Sequence, residues 1–167
     1  MNHFSRETEM PTNCSVILIA DDDEDDLLLM RDAFAVSGIP LDLRTVSDGE
    51  ELLEYLFRRS KYEDPFLSPE PTLILLDLNM PRKNGREALA EIKAHRILRQ
   101  IPVVVLTTSK ETLDIQQCYE LGASSYVTKP NGFDSLVDVL KTIGKYWLET
   151  VELPSRRPPD AGGDRHL

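Results

Sequence analysis

Cysteine is scarce in this chain: Cys14 and Cys118 are the only two in 167 residues. They have no short metal-ligand spacing, so a cysteine zinc site or disulfide framework has nothing to build on, and both thiols are expected to be reduced. Histidine is equally sparse. His3, His95 and His166 are scattered along the chain, which disfavours a zinc site and a histidine-based triad. No uninterrupted apolar run approaches the roughly 20 residues that a membrane span needs. The start, Met1 to Glu7, lacks the apolar core of a secretory signal. The chain is therefore expected to be cytoplasmic, with no membrane partner. Positive charge is also in short supply, with 19 Lys and Arg against 29 Asp and Glu, a formal net charge of −10. A field of that sign repels phosphate backbones, so direct nucleic-acid binding is not expected. The nearest basic cluster, Arg156-Arg157, lies in a Pro-rich tail and reads as a solvated linker.

What the chain does have is alternation. Short apolar runs at Val16–Ala20, Leu41–Val46, Leu73–Leu76, Pro102–Leu106 and Ser125–Thr128 read as strands. Between them lie helical patterns: Leu27, Leu28, Met30, Arg31 and Phe34; Leu52, Leu53, Leu56 and Phe57; Ala88, Leu89, Ile92 and Lys93; and a stretch around Leu113 to Leu121. A final helix carries Leu136, Val139, Leu140 and Ile143 and runs on to Trp147. Gly38 and Pro40 stop the first helix, and Ser47-Asp48-Gly49 starts the second. Lys61 to Pro71, with three prolines and no periodicity, reads as a surface loop. Five strands interleaved with five helices predict an α/β domain. Its core is a doubly wound five-stranded parallel sheet with helices on both faces. Its expected extent is 15–153, between disordered tails at 1–14 and 154–167.

In such sheets ligands sit beyond the carboxyl ends of the strands. The residues there carry the chemistry. Asp21 and Asp22 follow the first strand, Asp77 the third, Thr107 ends the fourth, and Lys129-Pro130 follows the fifth. Clustered carboxylates repel one another unless a cation joins them, and hard oxygen ligands select Mg²⁺. A lysine is a mobile point charge suited to an anion that comes and goes. This set describes a pocket for a phosphoryl group beside Mg²⁺, with Asp77 as the nucleophile that forms an acyl phosphate.

Four segments in order resemble the receiver domains of two-component response regulators, a flavodoxin-like fold. They are Ile17-Leu18-Ile19-Ala20-Asp21-Asp22-Asp23, Leu75-Leu76-Asp77-Leu78-Asn79-Met80-Pro81, Val105-Leu106-Thr107-Thr108-Ser109 and Tyr126-Val127-Thr128-Lys129-Pro130. The resemblance implies that Asp77 is phosphorylated by a sensor histidine kinase. It implies Mg²⁺ ligation by Asp22, Asp77 and the Asn79 carbonyl, with Asp21 acting through water. Lys129 would contact the phosphoryl oxygens across a cis bond to Pro130. Thr107 and Tyr126 would form the switch, and Asn79 and Ser109 would tune dephosphorylation. The only chemistry implied is the chain's own phosphorylation and dephosphorylation, not turnover of a separate substrate. Lys61 to Pro71, Asn79 to Glu87, and the ending Gly144 to Pro154 are similar to regulators paired with phytochrome-type kinases.

Two other functions fit less well. Phosphohydrolases with an aspartyl nucleophile carry a second acid two residues later, where this chain has Asn79. A flavodoxin-like cofactor binder needs a Ser/Thr/Gly-rich phosphate loop after the first strand, where this chain has carboxylates. Glu24, Asp25 and Asp26 read as a solvated helix start. Tyr146, Trp147, Leu148, Val151 and Leu153 extend the apolar character of the last helix beyond what one small domain needs. They are expected to form a homodimer surface. With no room for an output domain in either tail, the output is expected to be a changed protein-interaction surface.

Overall fold

Alternation along the strands decides the layering. The structure, a computed structural model, describes residues 14–154. The expected tails lie outside these residues, apart from Cys14 and Pro154 at their inner edges. The strands are β1 (Ser15–Ala20), β2 (Leu41–Val46), β3 (Leu73–Leu76), β4 (Val103–Thr107) and β5 (Ser125–Thr128). The helices are α1 (Glu24–Ser37), α2 (Gly49–Phe57), α3 (Gly85–Ala94), α4 (Thr112–Glu120) and α5 (Phe133–Lys145). All strand pairs are parallel, in the order β2-β1-β3-β4-β5.

Because successive strand side chains point to opposite faces, each central strand feeds two cores. Leu18, Ala20, Ile74, Leu76, Val103 and Val105 pack on one face with Leu52, Leu56, Leu89 and Ile92 of α2 and α3. Ile17, Ile19, Leu73, Leu75, Val104 and Leu106 pack on the other with Met30, Phe34, Leu136, Leu140 and Ile143 of α1 and α5. This explains why β3 reads as an unbroken apolar run: all four of its residues are buried, two on each face.

The helix ends are set locally. Asp23 caps α1 by accepting from the amides of Asp25 and Asp26, and Gly38 closes it at a φ of 72°. Asp48 caps α2 through the Glu51 amide, and Asn84 caps α3 through the Glu87 amide. The apolar stripe of α1 differs from expectation. Met30, Ala33 and Phe34 are buried, but Leu28 is 58% exposed and Arg31 faces solvent.

Two segments are more ordered than their composition suggests. Within and beside Lys61 to Pro71, Ser60–Tyr62 forms a 3₁₀ turn. The Tyr62 hydroxyl donates to Glu51, the Tyr55 hydroxyl to the Pro69 carbonyl, and the Ser68 hydroxyl to the Tyr62 and Asp64 carbonyls. After α5 the chain makes one π-helical turn, Tyr146–Thr150. Trp147 and Leu148, both partly buried, fold back there against the α1–α5 core. Among the described residues no helix is long and apolar enough to cross a membrane.

Candidate functional site

The chain leaves β1 toward β2 on one side and returns to β3 on the other, so the sheet order reverses between β1 and β3. A crevice opens at the carboxyl ends there. The register pairs Ala20 with Leu76, which brings the next residues, Asp21 and Asp77, side by side. The Asp77 amide donates to the Ala20 carbonyl at 3.0 Å and the Asp21 amide to the Val46 carbonyl at 3.1 Å. Both carboxylates are therefore anchored by sheet hydrogen bonds, and both are buried, whereas Asp22 is exposed.

Each of Asp21, Asp22 and Asp77 offers a carboxylate oxygen, and these atoms all lie within 4.8 Å of one another. A set of hard oxygen donors at that separation fits a divalent cation. Asp77 Oδ1 accepts from the Leu78 amide at 2.8 Å, leaving its other oxygen toward the crevice with Lys129.

Lys129 follows β5 and is held by its own backbone, its amide donating to the Thr107 carbonyl at 2.8 Å. Its ammonium lies 2.6 Å from Asp21 Oδ2, 2.9 Å from Asp26 Oδ2 and 3.8 Å from Asp77 Oδ2. Burial works against the charged ammonium. Hydrogen bonds to Asp21 and Asp26, with the nearby charge of Asp77, outweigh it and hold the lysine above its ordinary pKa. Burial also dominates at Asp21, whose carboxyl is pushed up despite the bond from Lys129. The expected cis bond to Pro130 is absent: the peptide is trans, the form favoured by about 0.5–1 kcal/mol for X–Pro bonds.

Thr107 is fully buried at the end of β4, and its hydroxyl oxygen has no hydrogen-bond partner among the described residues. Tyr126, half-buried on β5, donates its hydroxyl to the Ser109 carbonyl at 2.9 Å. The Ser109 hydroxyl is engaged elsewhere, donating to Asp114 of α4 at 2.5 Å.

The segment between Asp77 and α3 carries Asn79, which is exposed. Two glycines let it pack closely. A Cβ on Gly85 would lie 2.2 Å from the Asp77 carbonyl oxygen, and one on Gly49 would lie 2.3 Å from that of Lys83. The Gly49 amide donates to the Lys83 carbonyl at 2.9 Å, and Asp48 pairs with Arg82 at 2.8 Å. The start of α2 thus braces the Asn79 segment.

The sequence-derived residues Asp21, Asp22, Asp77, Thr107 and Lys129 meet at one crevice. Asn79 follows Asp77 by two residues and is exposed, while Tyr126 and Ser109 are bonded to each other, and Ser109 to Asp114 of α4. Asp26 is a correction. It is half-buried and bonded to Lys129, not a solvated helix-start residue. Nothing local in the sequence marks it, because Lys129 lies 103 residues further on. The pairings of Asp48 with Arg82 and of Arg86 with Asp114 left no local signal, because each joins residues remote in sequence.

The profile of the response regulator receiver domain matches residues 17–141. The response regulator Rcp1 of Synechocystis sp. is 43% identical over 140 residues, covering 84% of this chain and 93% of that protein. The structure of the phosphorylated cyanobacterial phytochrome response regulator RcpA matches with a TM-score of 0.80 at 41% identity, covering 86% of this chain and 100% of that one. The Mn²⁺-bound form of Rcp1 matches with a TM-score of 0.77 at 42% identity, covering 84% of this chain and 99% of that one. These neighbours share the flavodoxin-like sheet order, and one carries a divalent metal. The chain belongs to the response regulator receiver domain family of two-component signalling.

Proposed function

We propose that this chain is a response regulator, folded as one receiver unit over 15–153, that accepts a phosphoryl group on Asp77 from a histidine kinase. The observation that carries this reading is the crevice itself. Two buried carboxylates and one exposed face an ammonium, next to a buried hydroxyl that has no partner. In the transfer the donor's N–P bond breaks, its electron pair stays on the imidazole, and an Asp77 oxygen forms the new O–P bond. Hydrolysis returns the carboxylate and inorganic phosphate.

Phosphoryl transfer asks a protein mainly for positioning and charge neutralisation. Asp22, Asp77 and the Asn79 carbonyl would hold Mg²⁺ directly and Asp21 through water, and the ion would offset charge on the phosphoryl oxygens. Lys129 turns from Asp21 and Asp26 toward the new anion, and the Thr107 hydroxyl gains the partner it lacks. Tyr126, tied to the Ser109 carbonyl, carries the change outward to a protein-binding surface. Asn79, which is exposed, and Ser109 tune the hydrolysis.

A groove of about 120 Å³ beside the site is lined by Leu29, Met30, Phe133 and Leu136 together with Asp26 and Lys129, which leaves apolar surface next to the site for a donor protein to cover. Similarity to Rcp1 and RcpA supports a phytochrome-type kinase as the donor. We read the protein as cytoplasmic, acting without direct nucleic-acid contact, and as a homodimer through Tyr146, Val151 and Leu153 with the adjoining Trp147 and Leu148.

The test is incubation with acetyl phosphate and Mg²⁺, read by intact mass. One phosphoryl group is expected on the wild type, and none after Asp77→Asn or in EDTA. Undiminished uptake by Asp77→Asn would overturn the reading.

A further inference from the structure

We propose that Asp114 and Arg86 form a latch that holds Ser109, and with it the segment after β4, in the resting arrangement. They would then be positioning residues for phosphorylation. The proposal rests on Asp77 being the acceptor.

Asp114 grips two elements at once. One carboxylate oxygen accepts the Ser109 hydroxyl at 2.5 Å, and the other pairs with Arg86 Nη2. Arg86 is the second residue of α3, directly after Gly85, which packs on the Asp77 carbonyl. The pair therefore joins the α3 end of the phosphoacceptor segment to the start of α4. The Ser109 carbonyl is held separately by the Tyr126 hydroxyl at 2.9 Å. Ser109 is thus tied through its side chain to α4 and α3, and through its backbone to β5.

Thr107 must move its hydroxyl to meet a phosphoryl group on Asp77. Two residues of chain span at most about 7 Å, so a backbone shift at the end of β4 that carries the Thr107 hydroxyl toward Asp77 also moves Ser109. Shifting Ser109 strains its bond to Asp114. The side chains of Arg86 and Asp114 are 27% and 21% exposed, so solvent only partly screens their attraction. Hydrogen bonds from Ser109 and Arg86 also hold the Asp114 carboxyl below its ordinary pKa, so it stays charged at neutral pH. A contact made only in the resting arrangement opposes the phosphorylated one by its full differential strength.

The experiment measures the acetyl phosphate reaction rate and the apparent affinity for beryllofluoride with Mg²⁺. It uses the full chain and compares wild type, Asp114→Asn, Arg86→Gln, Ser109→Ala and the double variant Ser109→Ala with Asp114→Asn. Asp114→Asn is expected to raise both quantities roughly three- to tenfold, and Arg86→Gln to raise them less. The double variant should lie no further from wild type than the larger of its two single variants, which mere loosening of the fold would not produce. Rates unchanged or lowered in Asp114→Asn, or effects of Ser109→Ala and Asp114→Asn that add in full, overturn the latch. Each background is also made with Asp77→Asn. Phosphate uptake in those variants would instead overturn the acceptor reading, so the two failures are distinguishable.

Discussion

Lys129 Nζ lies 2.6 Å from Asp21 Oδ2 but 3.8 Å from Asp77 Oδ2, so its shorter contact is with the carboxylate beside the proposed acceptor. Its second close partner, Asp26, comes from the first turn of α1. The ammonium is thus parked on the β1–α1 side of the crevice. Movement toward Asp77 exchanges two existing contacts for new ones to a phosphoryl group. That exchange suits a reversible switch, because neither state leaves the lysine unpaired.

The crevice concentrates four carboxylates, Asp21, Asp22, Asp26 and Asp77, against one ammonium. The repulsion costs stability when no divalent cation is bound. Asp77→Asn is therefore expected to melt higher than wild type in EDTA, by roughly 1 kcal/mol or more. Mg²⁺ at 100 times its dissociation constant should stabilise the wild type by about 2.7 kcal/mol and Asp77→Asn by much less. Thermal melts with and without the ion decide this. Equal Mg²⁺ stabilisation of both proteins would place the cation elsewhere.

Thr107 offers a sharper separation of stability from function. Its hydroxyl is buried without a partner, and an unsatisfied buried polar group costs about 1–3 kcal/mol. Thr107→Val replaces that hydroxyl with a methyl group and is expected to raise resting stability by about 1 kcal/mol. The same change should weaken beryllofluoride binding, since the group that closes on the phosphoryl is gone. Denaturant titration and ligand titration read the two effects independently. A destabilised variant would mean that the hydroxyl is satisfied in solution.

Much of this was legible in the sequence because parallel sheets write themselves plainly. Strands such as Leu73–Leu76 are buried on both faces, and the residue after each one lands on the same edge. Asp21, Asp77 and Lys129 could be assigned to one crevice from order alone. What was hidden depends on which way side chains turn. Asp26 looks like any helix-start acid until β5 brings Lys129 over it. Nothing in the sequence tells that the π turn packs Trp147 partly against α1 and α5. The pairing of Arg86 with Asp114 spans two helices, and no periodicity encodes it.

Glu51 gives the molecule a measurable acid response. Burial alone would raise its carboxyl, but bonds from Tyr62, the Ser47 hydroxyl and amide, and Lys61 bring it from 4.5 down to about 2. A depressed folded value means that the unfolded chain binds the proton first as pH falls. The stabilisation is complete above about pH 4.5 and is lost as pH drops toward 2. Glu51→Gln should therefore be less stable than wild type at pH 7, with the gap narrowing between pH 4.5 and 2. Urea unfolding across that range checks it. A gap independent of pH would show that the carboxylate charge contributes nothing to tethering the Tyr62 turn.

The two aromatic residues after α5 should answer differently to truncation. Trp147 packs on the α1–α5 core, whereas Tyr146 is 50% exposed and meets Trp147 edge-on at 5.1 Å. Trp147→Ala is expected to cost about 2 kcal/mol of stability, below the 3–5 typical of a fully buried site. Tyr146→Ala should cost less than about 1 kcal/mol, mainly the lost ring contact. If Tyr146 also belongs to a dimer surface, its truncation raises the dimer dissociation constant while the melting curve barely moves. Sedimentation velocity at micromolar protein, with and without beryllofluoride, reads the first quantity. A wild type that sediments as monomer under both conditions removes the dimer and leaves the π turn as packing for α5 alone.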